Sequence, residues 1–189
     1  VRMPGVTPAM LDWWFNWHPL EGLRYALWCP VAHTGISVNN PARHMDSSGV
    51  ALKDRNYGSV HYPVEGFNVR GADTIRIEFM TLQDFNLDMS MFTEPGISRA
   101  YCANVLFDAL NIPFNVFFHA VREVEGGVEY RSRYWIGYTM KKGRPVRPLL
   151  PLPYRMKDLA RNNCLHSLTE YNNLASFLPQ LYKEMGGKI

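Results

Sequence analysis

Most of the chemistry legible in this chain sits in His166-Ser-Leu-Thr-Glu170. A spacing of four residues puts both side chains on one helix face, a turn apart. Imidazole nitrogen and carboxylate oxygen both ligate zinc, so two such groups can share an ion. An isolated pair of this kind is more often a hydrogen-bonded His–Glu contact, and the motif alone decides nothing. His33 follows Trp28-Cys29-Pro30 in apolar company, where a core or loop histidine is the ordinary reading. Glu65 lies in Tyr62-Pro63-Val64-Glu65-Gly66-Phe67. A carboxylate there needs a partner or a metal, unless it faces water from an edge strand as Pro63 would permit. Glu78 competes with it, but alternation with Ile75, Ile77 and Phe79 puts Glu78 on the opposite, solvated face. His18, His44 and His61 have no comparable setting and read as surface or structural.

These side chains need elements to hold them. Gly126-Gly127 between two apolar, alternating runs predicts a hairpin of 115–124 and 128–138 with a two-residue loop. With Glu125 opposite Val128, His119 falls opposite Tyr134 and the two share a face. Thr7-Pro8 predicts a helix start, with Thr7 as N-cap and Pro8 in the first turn. The helix after it, through Met10, Trp13, Trp14 and Trp17, reads as a core-covering or dimer-facing element. The pattern from Leu23 to Ile36 reads as extended, and 39–57, rich in Asn, Asp, Ser and Gly, as loop. Strands are expected at 60–69 and 74–82 with a turn at Gly71-Ala72-Asp73, while 99–110 fits helix or buried strand equally. After a Pro-rich connection at 147–153, Leu159, Leu165, Leu168, Leu174, Phe177 and Leu181 recur at helical spacing over 154–183, with a kink or break at Pro179. Antiparallel strands followed by one long helix predict a single α+β domain over 1–189, its curved sheet wrapped around that helix.

Composition excludes several classes. At 189 residues, 47% hydrophobic and 20% charged, the chain is ordinary globular material. A net charge of +3 is too small and scattered for nucleic acid, and the basic run Lys141–Arg147 reads as a solvated loop. No apolar stretch is long enough to span a membrane, and no signal peptide is visible. The start at Val1 implies processing or an incomplete N-terminus. Cys29, Cys102 and Cys164 fit neither a disulfide framework nor a CxxC site, so a reduced, cytoplasmic setting is expected. No phosphate loop, Gly-x-Ser-x-Gly elbow or Cys–His nucleophile pattern occurs.

Four segments together resemble the family of diacetylphloroglucinol hydrolase and phloretin hydrolase. They are Arg24-Tyr25-Ala-Leu-Trp28-Cys-Pro30-Val-Ala-His33, Val64-Glu65, His119-Ala-Val-Arg122 with Gly126-Gly127 and Arg131-Ser132-Arg133-Tyr134-Trp135, and His166-Ser-Leu-Thr-Glu170 with Asn173-Leu174 and Leu178-Pro179. The resemblance implies a helix-grip fold of the birch-pollen-allergen or START-like type. It implies one zinc per chain held by His33, Glu65, His166 and Glu170, with His119, Tyr134 and Tyr25 around the substrate and Glu65 assisting catalysis. The activity implied is hydrolysis of the carbon–carbon bond between an acyl carbonyl and a phenolic, phloroglucinol-type ring, in a small aromatic ketone. A homodimer is expected by the same analogy. Three departures stand out. Relatives carry a further N-terminal region, Ile36 replaces a polar amide, and Cys29 stands where a histidine is common. Two rival readings are a metal enzyme of other carbon–carbon cleavage or decarboxylation chemistry, and a non-catalytic carrier of an aromatic or lipid ligand. The carrier does not need two His and two Glu at one point.

Overall fold

The protein is described by a computed structural model covering residues 1–68, 71–88, 90, 96–148 and 156–189. A seven-stranded antiparallel sheet has the order β1-β7-β6-β5-β4-β3-β2. Its strands are β1 (Arg2–Pro4), β2 (His33–Val38), β3 (Val60–Asn68), β4 (Gly71–Met80), β5 (Arg99–Phe107), β6 (Ile112–Val124) and β7 (Gly127–Ile136). The helices are α1 (Pro8–Trp17), α2 (Gly22–Trp28), α3 (Pro41–His44) and the long α4 (Met156–Glu184). Sheet and C-terminal helix make this an α+β fold of the helix-grip kind, as the sequence predicts. Among the described residues no helix is long and apolar enough to cross a membrane.

Thr7 caps α1, its hydroxyl accepting the Met10 N–H at 3.3 Å with Pro8 in the first turn. Every residue from Leu11 to Trp17 is buried. Trp13 stacks on Trp17 and meets Tyr182 edge-on, while Trp14 meets Phe177, so α1 spends its aromatic surface on α4 within the chain. No aromatic stripe is left on it for a second copy. Two polar residues are buried with it. Asp12 receives Arg99 Nε at 2.7 Å and Tyr101 Oη at 3.0 Å, and Asn16 accepts from His44 Nδ1 at 2.8 Å.

Several expectations are corrected. The chain from Gly22 to Trp28 is helical, with Tyr25 and Trp28 buried three apart while Leu23 and Leu27 face out. What resembles strand alternation there is a helix with one inward edge, and the extended chain begins only at His33. Gly71-Ala72-Asp73 is strand, since Gly71 pairs with Asn68 and Asp73 with Glu65. Segment 99–107 is strand β5. The basic run forms a small hairpin, β8 (Thr139–Lys141) with β9 (Arg144–Val146), turned by Lys142 and Gly143 at positive φ. In α4 the helix continues through Pro179, and Leu165 and Leu168 point outward at 50% and 53% exposure. The expected strand end at Val69 and the connection at 149–153 lie outside the described residues, as does the expected helix start at Tyr154.

The β6–β7 hairpin forms, but its loop is Glu125-Gly126 and its register pairs Val124 with Gly127. Gly126 takes φ +76°, while Gly127 is needed for space, because a Cβ there would lie 2.3 Å from the Met3 carbonyl oxygen of β1. His119 therefore pairs with Ser132, and Phe117 with Tyr134. The shift is two residues, so every side chain keeps its predicted face.

Candidate metal centre and adjoining cavity

His33 stands at the start of β2, on a bulge. It pairs with Glu65 while Gly35 pairs with Val64, leaving Thr34 as an extra residue. His33 and Ile36 lie three apart, which in an unbroken strand would put them on opposite faces. The bulge turns His33 toward Glu65 while Ile36 still faces the interior. From the opposite side, α4 brings His166 and Glu170 on one face. His33 Nε2 lies 3.2 Å from His166 Nε2, 3.6 Å from Glu170 and 3.9 Å from Glu65, and His166 Nε2 lies 3.6 Å from each carboxylate. Four groups from β2, β3 and α4 converge on one point.

Corners of a tetrahedron with bonds of about 2.1 Å lie about 3.4 Å apart. The observed separations bracket that value. Burial holds His33 neutral, its pKa lowered to about 3, with His166 adding to the effect. The same burial raises the carboxyl of Glu65, and it raises that of Glu170 well above the usual range with Glu65 adding repulsion. Neutral imidazoles offer lone pairs, and a nearby double positive charge would hold both carboxylates ionised. The donor set fits a divalent cation. Cys29 Sγ belongs to the same neighbourhood, its ligand atom and those of His33 and His166 all lying within 4.8 Å of one another.

Tyr25 fixes two of the four. Tyr25 donates its hydroxyl to Glu65 Oε1, and its ring stacks on His33 with centroids 3.8 Å apart and an interplanar angle of 2°. His33 Nδ1 faces the Tyr25 carbonyl oxygen at 3.1 Å, which makes Nδ1 the protonated nitrogen and leaves the Nε2 lone pair toward the centre.

Next to this centre, between sheet and α4, lies a cavity of about 90 Å³. Tyr25, Glu65, His166 and Glu170 line one part of it, His119 and Tyr134 another, and Ile36, Ile77 and Phe117 supply apolar wall. His119 and Tyr134 do meet, ring centroids 5.6 Å apart, as diagonal rather than direct partners. His119 Nδ1 lies 2.9 Å from Ser132 Oγ, and burial lowers its pKa to about 3. Tyr134 donates to Ser167 Oγ at 2.9 Å. His18 and His61, read from sequence as surface or structural, are buried and border the same cavity, and His44 is buried beside His61. Glu78 lies outside it, bonded to Arg76 at 3.0 Å. Ser132, Ser167 and Tyr171 escaped the sequence reading. Alternation of 130, 132 and 134, and helical spacing of 163, 167, 170 and 171, would have found them.

Fold and site together define a helix-grip domain whose interior cavity ends at a cluster of two imidazoles and two carboxylates. Residues 1–183 match the family described as DAPG hydrolase PhiG domain, and the chain belongs to that family. It is 31% identical over 201 aligned residues to a 2,4-diacetylphloroglucinol hydrolase of Pseudomonas sp, covering 97% of this chain and 65% of that protein. A second 2,4-diacetylphloroglucinol hydrolase, from Pseudomonas protegens, is also 31% identical, with 62% of its length covered. Phloretin hydrolase of Eubacterium ramulus is 30% identical over 191 residues, with 96% of this chain and 65% of that enzyme covered. The chain thus spans just under two thirds of the length of these relatives.

Proposed function

We propose that this protein is a zinc-dependent hydrolase that cleaves the carbon–carbon bond between an acyl carbonyl and a phenolic ring, giving a carboxylic acid and a phenol. The observation that carries the proposal is the convergence of His33, Glu65, His166 and Glu170, within 3.9 Å along each measured pair, at the end of a cavity holding His119 and Tyr134. A carrier of an apolar ligand gains nothing from burying two carboxylates, each of which costs stability unless paired. Membership of the family and likeness to named aryl-ketone hydrolases support the same reading.

His33, Glu65, His166 and Glu170 would hold the ion, which when bound supplies a Lewis acid for the acyl oxygen and for water. His119, kept neutral by burial, takes the proton of a ring hydroxyl and delivers it to the ring carbon bearing the acyl group. Ser132 Oγ at Nδ1 fixes the imidazole for that transfer. The ring is then a β-dicarbonyl equivalent. Water adds to the acyl carbon, with Glu65 or Glu170 accepting its proton. The bond to the ring carbon breaks, its electron pair restores the aromatic ring as a phenolate, and that oxygen takes back the proton held by the carboxylate to give the phenol. One water is consumed, its oxygen leaving in the acid and its hydrogens shared between acid and ring. Tyr134 and Tyr25 hold phenolic oxygens by hydrogen bonds.

Two variants test this. His166→Ala should lose the metal by elemental analysis, and stoichiometric zinc in that variant would refute the ligand set. His119→Ala should keep zinc while turnover of acylphloroglucinols falls roughly 10²- to 10⁴-fold. Full activity in it would remove His119 from the mechanism.

A further inference from the structure

Two carboxamides in the cavity wall have no part in the chemistry above. Asn115 stands on β6, on the same inward-facing row as Phe117 and His119, and is only 2% exposed. Its lateral neighbours are Val105 on β5 and Ile136 on β7, with Ile77 beyond Val105 on β4, so the side chains next to it across the sheet are apolar. Its Oδ1 is buried without a hydrogen-bond partner. Across the cavity, Asn163 sits on α4 one turn before Ser167, and its Nδ2 is likewise buried and unpartnered. Buried amide ends are nearly always satisfied in folded proteins, and an unmade bond there costs more than a made one gains. Two such ends bordering one cavity, an acceptor on the sheet and a donor on the helix, match a group that both donates and accepts. A hydroxyl is the simplest such group.

We propose that Asn115 and Asn163 form a polar clamp for a ring hydroxyl remote from the bond being cleaved, selecting rings with three hydroxyls over rings with fewer. The clamp rests on the reading of the cavity as a site for hydroxylated aryl ketones and specifies which of them fit. Each hydroxyl so held is worth roughly three- to tenfold in affinity.

Binding can be separated from cleavage by using rings without an acyl group. In calorimetric titrations, the zinc-loaded protein should bind 1,3,5-trihydroxybenzene roughly three- to tenfold more tightly than 1,3-dihydroxybenzene. Asn115→Ala with Asn163→Ala should reduce that ratio to about one, and Asn115→Ser, which keeps a hydroxyl, should retain part of it. Thermal melts and metal content establish that the variants are folded. A wild-type ratio of one overturns the clamp without any variant being needed, and so does an unchanged ratio in the double variant. Cleavage of acylphloroglucinols with no hydroxyl preference would sink the clamp and leave the hydrolase standing. A preference that depends on the asparagines, with no acylphenol cleaved, would sustain the clamp and sink the hydrolase.

Discussion

The two halves of α4 solve opposite problems. The back half is an ordinary amphipathic helix: Leu174 and Leu178 are fully buried, and Phe177 and Tyr182 pack on Trp14 and Trp13. The front half is inverted, turning Asn163, His166, Ser167 and Glu170 toward the cavity and leaving Leu165 and Leu168 in solvent. One half stabilises the fold, and the other uses that stability to keep carboxyl, imidazole and amide groups where water cannot satisfy them. Polar residues on the inward face of a well-formed helix mark the site more reliably than the HxxxE motif they contain.

Substitutions should separate the halves. Glu170→Gln should lower turnover at least about 100-fold, by weakening metal retention. In the metal-free state it should raise stability by about 1 kcal/mol or more, because it removes a buried carboxyl that resists ionisation. Urea melts of the chelated proteins check this, and a less stable Glu170→Gln would erase the contrast. Leu174→Ala should do the reverse, costing about 2–5 kcal/mol in the same melts while zinc stoichiometry holds.

Acid gives a smaller effect and addresses the packing behind the back half. His44 and His61, ring centroids 5.0 Å apart, are buried, with pKa values lowered to about 4 and well below 6.5. The unfolded chain binds their protons first. Stability is therefore intact above about pH 6.5 and falls as pH drops toward 4, by up to ~1.4 kcal/mol per pH unit per histidine. His44→Gln should flatten that slope in melts at pH 7 and pH 5, and an unchanged slope would place the acid sensitivity elsewhere. The smallest test concerns β1, whose following Gly5 would carry a Cβ 3.6 Å from Pro179 on the back half. Gly127→Ala should push β1 off β7 and cost about 1–3 kcal/mol, leaving zinc content unchanged.

How far the sequence could be read follows from the same physics. Period-two alternation placed His119 and Tyr134 on one face and survived a register error of two residues, because an even slip preserves faces. The capped start of α1 was local and therefore legible. Leu165 and Leu168 were misplaced because a 3.6-residue pattern reveals a stripe without saying whether it faces in. Short α2 reads as extended chain in the sequence because seven residues carry too little periodicity to separate the two. Asn115 and Asn163 were invisible, since only the packed fold leaves their amides unpaired.

The bulge at Thr34 carries a consequence for how such a chain can vary through time. In a regular strand the gain or loss of one residue moves every side chain beyond it to the other face. Here the bulge has already absorbed one extra residue: deleting Thr34 would leave a regular strand with His33 two positions from Ile36 and still inward, whereas straightening the bulge with Thr34 in place would swing an unchanged His33 out toward solvent. The direction of this imidazole is thus set by the shape of the backbone as well as by the identity of the residue.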